Sequence, residues 1–514
     1  MRQHGIASLE SSFRAKAHGG IYLKVKYPIP QPISKYIYKL SLKNSHNFVT
    51  KLVKYCIITI DGGSMENLYK KLPQMNEILN KYDENPVIVK DVANKVLDAY
   101  RAKIAAKEDF ETDDIYADID GKINDFSPYS LYNVINATGV ILHTNLGRAV
   151  LSEKSLERIE KIGASYSNLE YDVEKGVRGS RYTHLVDIAK KLTGAEDALI
   201  VNNNAAAVFL VLNTFCQGKN ALISRGELVE IGGSFRISEI MKRSGANVVE
   251  VGATNRTHLY DYENEIDDED LSAIVKVHKS NFQMVGYSES VDTKDLKELI
   301  GERDILLYED LGSGSLIDLT PYGYSYEKTV GDCLKDGIDL VSFSCDKLIG
   351  GSQAGIIVGK KEYISKIKKN QLLRAFRVDK LTLASVEATL IEYLNFDQMK
   401  KDNPTIRMIT EEASVVKKRC QKLLRKIQKI DGIDAEMVES EGKIGGGSYP
   451  LDIKKTYSVK ISDANTKNLE EHLRLSDHHI ISTVHDGNLY LNALTIFESQ
   501  IDDIYEVLKD YYEK

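Results

Sequence analysis

The sequence predicts an α/β protein: a large, mainly parallel sheet covered by helices, a helical domain before it and a smaller α/β domain after it. Three observations carry that expectation. From about residue 198, short apolar runs alternate with helix-like segments in a βα rhythm. Two of the runs, 305–308 and 340–344, end in chemically distinctive turns, Glu309-Asp310-Leu311-Gly312-Ser313-Gly314-Ser315 and Cys345-Asp346-Lys347-Leu348-Ile349-Gly350-Gly351. A second, shorter set of strand signals returns near the C-terminus, and 514 residues leave room for two to four domains.

Composition narrows the class. A chain that is 42% hydrophobic and 28% charged has the balance of a globular protein and not that of a disordered or fibrous one. Its five cysteines are scattered, odd in number and without zinc-site spacing, which fits a reducing compartment and predicts a cytoplasmic protein without a metal. No run is long enough to span a bilayer, and Arg2, Glu10, Arg14 and Lys16 interrupt any signal-peptide core. The net charge of −7 gives no support for nucleic-acid binding. The charge is unevenly spread, however. Residues 1–64 carry ten Lys/Arg against Glu10 and Asp61, a net +8, leaving −15 on the rest.

In chain order, residues 1–64 form an atypical basic extension containing Pro28-Ile29-Pro30-Gln31-Pro32. We expect a poorly ordered extension, or sequence upstream of a natural start at Met65, in preference to a basic arm for RNA. Ser64 is a plausible N-cap, and helical periodicity recurs over 75–79 and 92–104, so residues 65–130 read as a helical domain. The large domain is expected over 131–384. It begins with a Gly- and Asn-dense stretch, 134–148, of the kind that wraps backbone around a site, followed by a helix near 152–162. A second loop, Gly176-Val177-Arg178-Gly179-Ser180-Arg181, comes before another helix. Strands are expected at 198–201, 221–224, 248–251, 283–287, 305–308, 340–344 and 355–358. Helical material over 381–430 leads into a small C-terminal α/β domain, 385–514, with strands at 456–461, 479–484 and 489–494, a flexible turn at Gly445-Gly446-Gly447 and a closing helix from Ile501.

The chemistry concentrates at strand ends. A strand-end carboxylate, Asp310, followed in chain order by a strand-end lysine, Lys347, is the pattern of a pyridoxal 5'-phosphate enzyme. Asp310 would pair with the protonated ring nitrogen, and Lys347 would carry the Schiff base and then serve as base for the substrate Cα proton. Asn203, Asn204 and Ala205 fall where a strand gives way to a helix rich in small residues, whose free N–H groups suit the cofactor phosphate. Ser342 and Ser344 are candidate hydroxyl donors to the same phosphate. Arg148, Arg374 and Arg377 suit an anionic co-substrate, the last two sharing a face if they are helical. The dispersed histidines, among them His143, His184, His258 and His278, are expected to pack or to stack on a ring.

These motifs resemble those of the bacterial L-seryl-tRNA(Sec) selenium transferase family, also called selenocysteine synthase, which are fold-type I pyridoxal-phosphate enzymes. The resemblance runs from about Met65 to the C-terminus. It is very dense from Val134 to Leu390, with motifs at 135–148 (INATGVILHTNLGR), 201–207 (VNNNAAA), 224–236 (SRGELVEIGGSFR), 254–258 (TNRTH), 311–319 (LGSGSLIDL) and 342–360 with its continuation to Lys380. It implies that seryl-tRNA(Sec) is converted to selenocysteyl-tRNA(Sec) with selenophosphate, by β-elimination to a tRNA-bound aminoacrylate and addition of selenium. It also implies Lys347 as the Schiff-base lysine with Asp346 beside it in the active site. Arg148, Arg374 and Arg377 would bind the selenophosphate-type anion, and the N-terminal helical domain would recognise the tRNA. The expected assembly is a homodimer building block in a homodecamer, with active sites at the dimer interface. Four departures stand out: Cys345 for the usual glycine, Ser352 for proline, Ala253 for a threonine, and Asn492-Ala493-Leu494-Thr495 without the usual acidic and arginine residues. The competing function is a related pyridoxal-phosphate lyase acting on a small phosphorylated amino acid without tRNA.

Overall fold

The computed structural model describes residues 68–124, 129–231, 235–279, 284 and 286–513. Everything expected of residues 1–64, and the N-cap expected at Ser64, lies outside them. The chain separates into two compact units, Met1–Tyr132 and Asn133–Lys514.

The first unit includes the helices Met75–Lys81, Pro86–Ala106 and Thr112–Asn124. The long one starts where Asn85 caps the Val87 N–H and Pro86 takes the first position, where a missing N–H costs nothing. It stops at Lys107 in the left-handed conformation. Val89, Val92, Val96, Tyr100 and Ile104 recur at helical spacing and pack on Ile78, Phe110, Ile115 and Ile119.

The second unit is organised by a seven-stranded sheet: β1 (Asp197–Val201), β2 (Asn220–Ser224), β3 (Asn247–Val251), β4 (Leu271–Val277), β5 (Leu306–Gly312), β6 (Leu340–Ser344) and β7 (Gly355–Gly359). Their order across the sheet is β1-β7-β6-β5-β4-β2-β3, parallel except for β7. Both faces are covered, which explains the near-continuous apolar runs. Along β1, Ala198 and Ile200 enter one core while Leu199 and Val201 enter the other.

One expected strand is corrected. The fourth run was expected at 283–287, but the sheet position belongs to β4, Leu271–Val277. Gln283 and Val285 lie outside the described residues; Gly286 and Tyr287 form a bend. The Leu271-Ser272-Ala273 start is short and of mixed polarity, so its local signal is weak, and burial between β2 and β5 decides its state.

A second sheet has five strands in the order Thr483–His485, Asn488–Asn492, Lys454–Ser462, Asp434–Gly445 and Val140–Leu142. The twelve-residue strand Asp434–Gly445 was not anticipated, because Glu436, Glu439 and Glu441 break its apolar signal. Its partner Val140–Leu142 comes from the stretch expected at the head of the large domain. Ile141 and Leu142 instead share a core with Val459, Ile461, Leu489 and Leu491 of the C-terminal strands. Conversely, the helix Lys380–Glu392 crosses the expected 384/385 boundary and packs Leu383, Val386 and Leu390 into the main-sheet core. Among the described residues, no helix is long and apolar enough to cross a membrane.

Candidate active site

The carboxyl ends of β1, β4, β5 and β6 converge, as strand ends do in open parallel sheets. Asp310, Asp346 and Lys347 are all buried there. The Asp310 Oδ1 accepts from the Asn204 side-chain amide at 2.7 Å and from the Gly312 N–H at 3.1 Å. Burial raises the Asp310 carboxyl above its ordinary value, opposed by the Asn204 hydrogen bond and by the charge of Lys347. Burial likewise lowers the Lys347 ammonium; Asp310 and Asp346 oppose that shift and Arg148 adds to it.

The turn after β1 leads into the helix Asn204–Phe215. The Asn203 side chain caps this helix by accepting the Ala206 N–H at 2.8 Å, so its amide oxygen is already engaged, and Ala205 sits in the first turn. Gly355 of β7 runs so close to this turn that a Cβ there would collide with the Asn203 carbonyl. Ser342 is fully buried and shares a 2.6 Å hydrogen bond with the Tyr308 hydroxyl. Ser344, also buried, lies on the same side of β6, three residues before Lys347.

Arg148 stands at the end of the Gly- and Asn-rich stretch with its backbone in the left-handed region, φ 64°. Its Nη1 donates to Asp346 Oδ2 at 2.6 Å. Arg374 and Arg377 lie elsewhere, in an open cleft of about 300 Å³. Their expected helical relationship is corrected: the helix Leu373–Phe376 ends before Arg377, whose backbone is extended. Both nevertheless line the same cleft, together with Arg178, Arg181, Lys368 and Lys369. The cleft is tied to the Asn-rich turn, because the Asn202 N–H donates to the Phe376 carbonyl at 2.8 Å.

The fit of a planar, phosphate-bearing cofactor can be judged from side chains awaiting partners. Asn202 Oδ1, Asn204 Oδ1 and His278 Nδ1 are buried with no hydrogen-bond partner among the described residues, which is costly unless a ligand supplies one. Beside them stand an amine-bearing Lys347, a buried carboxylate and a helix N-terminus. These residues fit pyridoxal phosphate. His278, whose backbone N–H donates to the Asp310 carbonyl at 2.9 Å, was expected only to pack or stack, and Asn202 was not singled out. Each lies one residue past a strand, at β4 and β1 respectively, and that position is the signal that could have found them. The other histidines have local duties: His143 Nδ1 accepts the Asn145 N–H, and His258 stacks on Tyr260 and pairs with Glu289. Among the described residues no three His, Cys, Asp or Glu side chains group as metal ligands.

Two of the four departures have a structural setting. Ser352 donates to the Ser385 hydroxyl at 2.5 Å, and Asn492 accepts from the Leu494 N–H and Thr456 hydroxyl while its own amide reaches the Glu441 carbonyl. Ala253 is exposed, and Cys345 is fully buried beneath the Lys347 turn. Nothing in the structure explains why these two positions differ.

The sequence model of the family described as L-seryl-tRNA selenium transferase matches residues 134–497. A protein named L-seryl-tRNA(Sec) selenium transferase from Clostridium botulinum (strain Okra / Type B1) is 44% identical over 456 residues, covering 86% of this chain and 98% of its own length. One of the same name from Clostridium perfringens (strain ATCC 13124) is 45% identical over 461 residues, covering 87% of this chain and 100% of its own. Among solved structures, a D-glucosaminate-6-phosphate ammonia-lyase matches with a TM-score of 0.52 at 17% identity, over 76% of this chain and 99% of its own. At that identity the likeness concerns the fold alone.

Proposed function

The chain belongs to the L-seryl-tRNA selenium transferase family, and from that premise we propose that it converts L-seryl-tRNA(Sec) to L-selenocysteyl-tRNA(Sec) with selenophosphate as selenium donor and pyridoxal phosphate as cofactor. The observation that carries this reading is the convergence of Lys347, Asp310 and the Asn202–Asn204 turn at one end of the main sheet, in a chain aligned with nearly the whole length of its relatives.

When bound, the cofactor's ring takes up the electron pair left at the substrate Cα, which makes loss of the Cα proton and the β-hydroxyl feasible. The protein's part is to bind and to move protons. Lys347 would hold the cofactor covalently and, once released, take the Cα proton; its lowered pKa keeps more of the amine neutral for both tasks. Asp310, fixed by Asn204 and Gly312, would keep the proton on the ring nitrogen, and that cation would in turn stabilise the buried carboxylate. Backbone N–H groups at Asn203, Asn204 and Ala205, with the Ser344 hydroxyl, would hold the phosphate. Ser342, engaged with Tyr308, would support the strand bearing Ser344. Asp346 would be oriented beside Lys347 by Arg148. Arg374 and Arg377, which line the basic cleft, and Arg148 beside Asp346 would bind the selenophosphate anion.

We extend the proposal to partners. The helical segment within 65–130 would contact the tRNA, residues 131–384 would bind the cofactor, and 385–514 would form the small domain, with Ile135–Asn136 and Val140–Leu142 contributed to the latter's sheets. The protein would be a homodimer assembling to a homodecamer; Tyr166, Tyr171, Val173 and Val177, each exposed, would suit burial at an interface. A cytoplasmic location agrees with a tRNA substrate.

The decisive experiment supplies purified protein with cofactor, seryl-tRNA(Sec) and selenophosphate and measures selenocysteyl-tRNA. Product is expected. Its absence, with turnover of a free phosphorylated amino acid instead, would overturn the reading in favour of a lyase.

A further inference from the structure

Glu170 is the acid among the described side chains that line the basic cleft. Its Oε1 accepts from both Nε and Nη2 of Arg181, at 2.8 and 2.6 Å, while Arg181 Nη1 donates to the Val378 carbonyl at 2.7 Å. Arg181 is thereby fixed, with 11% of its side chain exposed. The same carboxylate lies 3.7 Å from Arg178 Nη2 and 3.9 Å from Arg377 Nη1. Those separations exceed a charge-assisted hydrogen bond, so Glu170 has one tight partner and two loose ones. The hydrogen bond from Arg181, with the charges of Arg178 and Arg377, holds the Glu170 carboxyl below the usual range and therefore ionised.

We propose that Glu170 is the resident counter-anion of the cleft, a positioning residue that sets anion affinity: it yields Arg178 and Arg377 to an incoming phosphate-type anion, keeps Arg181, and limits how tightly the anion is held. This rests on the reading of the cleft as the donor-anion site. The physical reason lies in release. Once the donor has given up its selenium, the phosphate left behind presents much the same oxygens and charge to the same arginines. Lys368 is already paired with Asp197, and a cleft whose Arg178, Arg181, Lys369, Arg374 and Arg377 had no such counter-charge would retain that product about as firmly as the donor. Glu170 weakens both and favours exchange.

The test is Glu170→Gln. Because both Arg181 hydrogen bonds go to one oxygen, a glutamine amide oxygen in that place keeps them, while the substitution removes the charge and puts an NH2 in place of the oxygen that faces Arg178. Inorganic phosphate is titrated calorimetrically into the cofactor-loaded enzyme. The dissociation constant is expected to fall roughly tenfold in Glu170→Gln. Glu170→Asp, which keeps the charge, should stay within about threefold of the unsubstituted protein. An affinity in Glu170→Gln that is unchanged or weaker overturns the counter-anion role and leaves Glu170 as an anchor for Arg181. Phosphate binding that is absent from the unsubstituted protein, or that survives loss of Arg374 and Arg377, overturns the anion-site reading itself and this inference with it.

Discussion

The guanidinium of Arg148 meets the carboxylate of Asp346 at 2.6 Å across 198 residues of sequence, one position before Lys347. The contact places a fixed positive charge near the lysine amine while its partner supplies a negative one. Burial lowers the Lys347 pKa most; Asp310 and Asp346 act against that, and Arg148 acts with it. A lowered pKa means the neutral amine, the form that can bond to an aldehyde, appears at lower pH than in an ordinary lysine.

Cofactor loading should therefore accelerate as pH rises through this depressed value. In Arg148→Gln one like charge is gone, the ammonium is favoured, and the midpoint moves to higher pH. Stopped-flow absorbance on adding pyridoxal phosphate to apoprotein reads both; a midpoint that stays put or falls refutes the assignment. Lys347→Ala should show no covalent loading at any pH.

Asp310→Asn keeps the size of the side chain and a hydrogen-bonding group facing Asn204, but removes the charge. Loss of one preorganised electrostatic partner should lower kcat by about 10²–10³-fold while the protein stays folded. Single-turnover kinetics with circular dichroism as the folding control checks this, and near-normal kcat would remove Asp310 from its role.

Arg374→Ala and Arg377→Ala should each raise KM for selenophosphate by about 10–100-fold, the worth of a hydrogen bond to a charged group. Cofactor absorbance should not change, since the Asn202–Phe376 contact that ties the cleft to the cofactor turn is between backbones and both substitutions leave it intact. A loss of cofactor in either variant would show the cleft and the cofactor site to be one.

Glu327 is a partly buried carboxyl that accepts the Tyr449 N–H at 3.2 Å and the Ser313 hydroxyl at 3.4 Å. Burial pushes its pKa from 4.5 to about 7. Between those values the folded protein binds the extra proton and the unfolded chain does not, so stability falls as pH rises from 4.5 to 7 and stays lower above it. The gap corresponds to about 3 kcal/mol. Glu327→Gln should flatten that part of the Tm-against-pH curve and raise Tm at pH about 8; an unchanged slope would contradict it.

Much of this was legible because buried parallel strands leave a strong mark. The run Leu340–Ser344 is apolar or small at every position and ends in a lysine turn, and its bounds are those observed. Strand Asp434–Gly445 left no such mark, since its glutamates face solvent and only cross-strand pairing with Lys454–Ser462 makes it a strand. The positive charge of Arg374 and Arg377 was readable, but not the geometry that gathers it. The helix ends at Phe376, and Arg178, Arg181, Lys368 and Lys369 join them only through tertiary structure. Glu170 was invisible for the same reason: its meaning depends on three arginines that folding gathers round it.

The turn that leads to Arg148 is built partly from the far end of the chain. The Asn492 N–H donates to the Ala137 carbonyl, the Gly139 N–H donates to the Thr495 hydroxyl, and a Cβ on Gly139 would strike the Asn492 side chain. Synthesis on the ribosome runs the other way. A nascent polypeptide can lay down all seven strands of the main sheet and still lack the clasp that holds this turn. Residues 492–495 must clear the exit tunnel first. The turn at 137–139 thus lacks these contacts until residues 492–495 have been made, and a premature stop before Asn492 would leave Lys347 and Arg148 in place without that clasp.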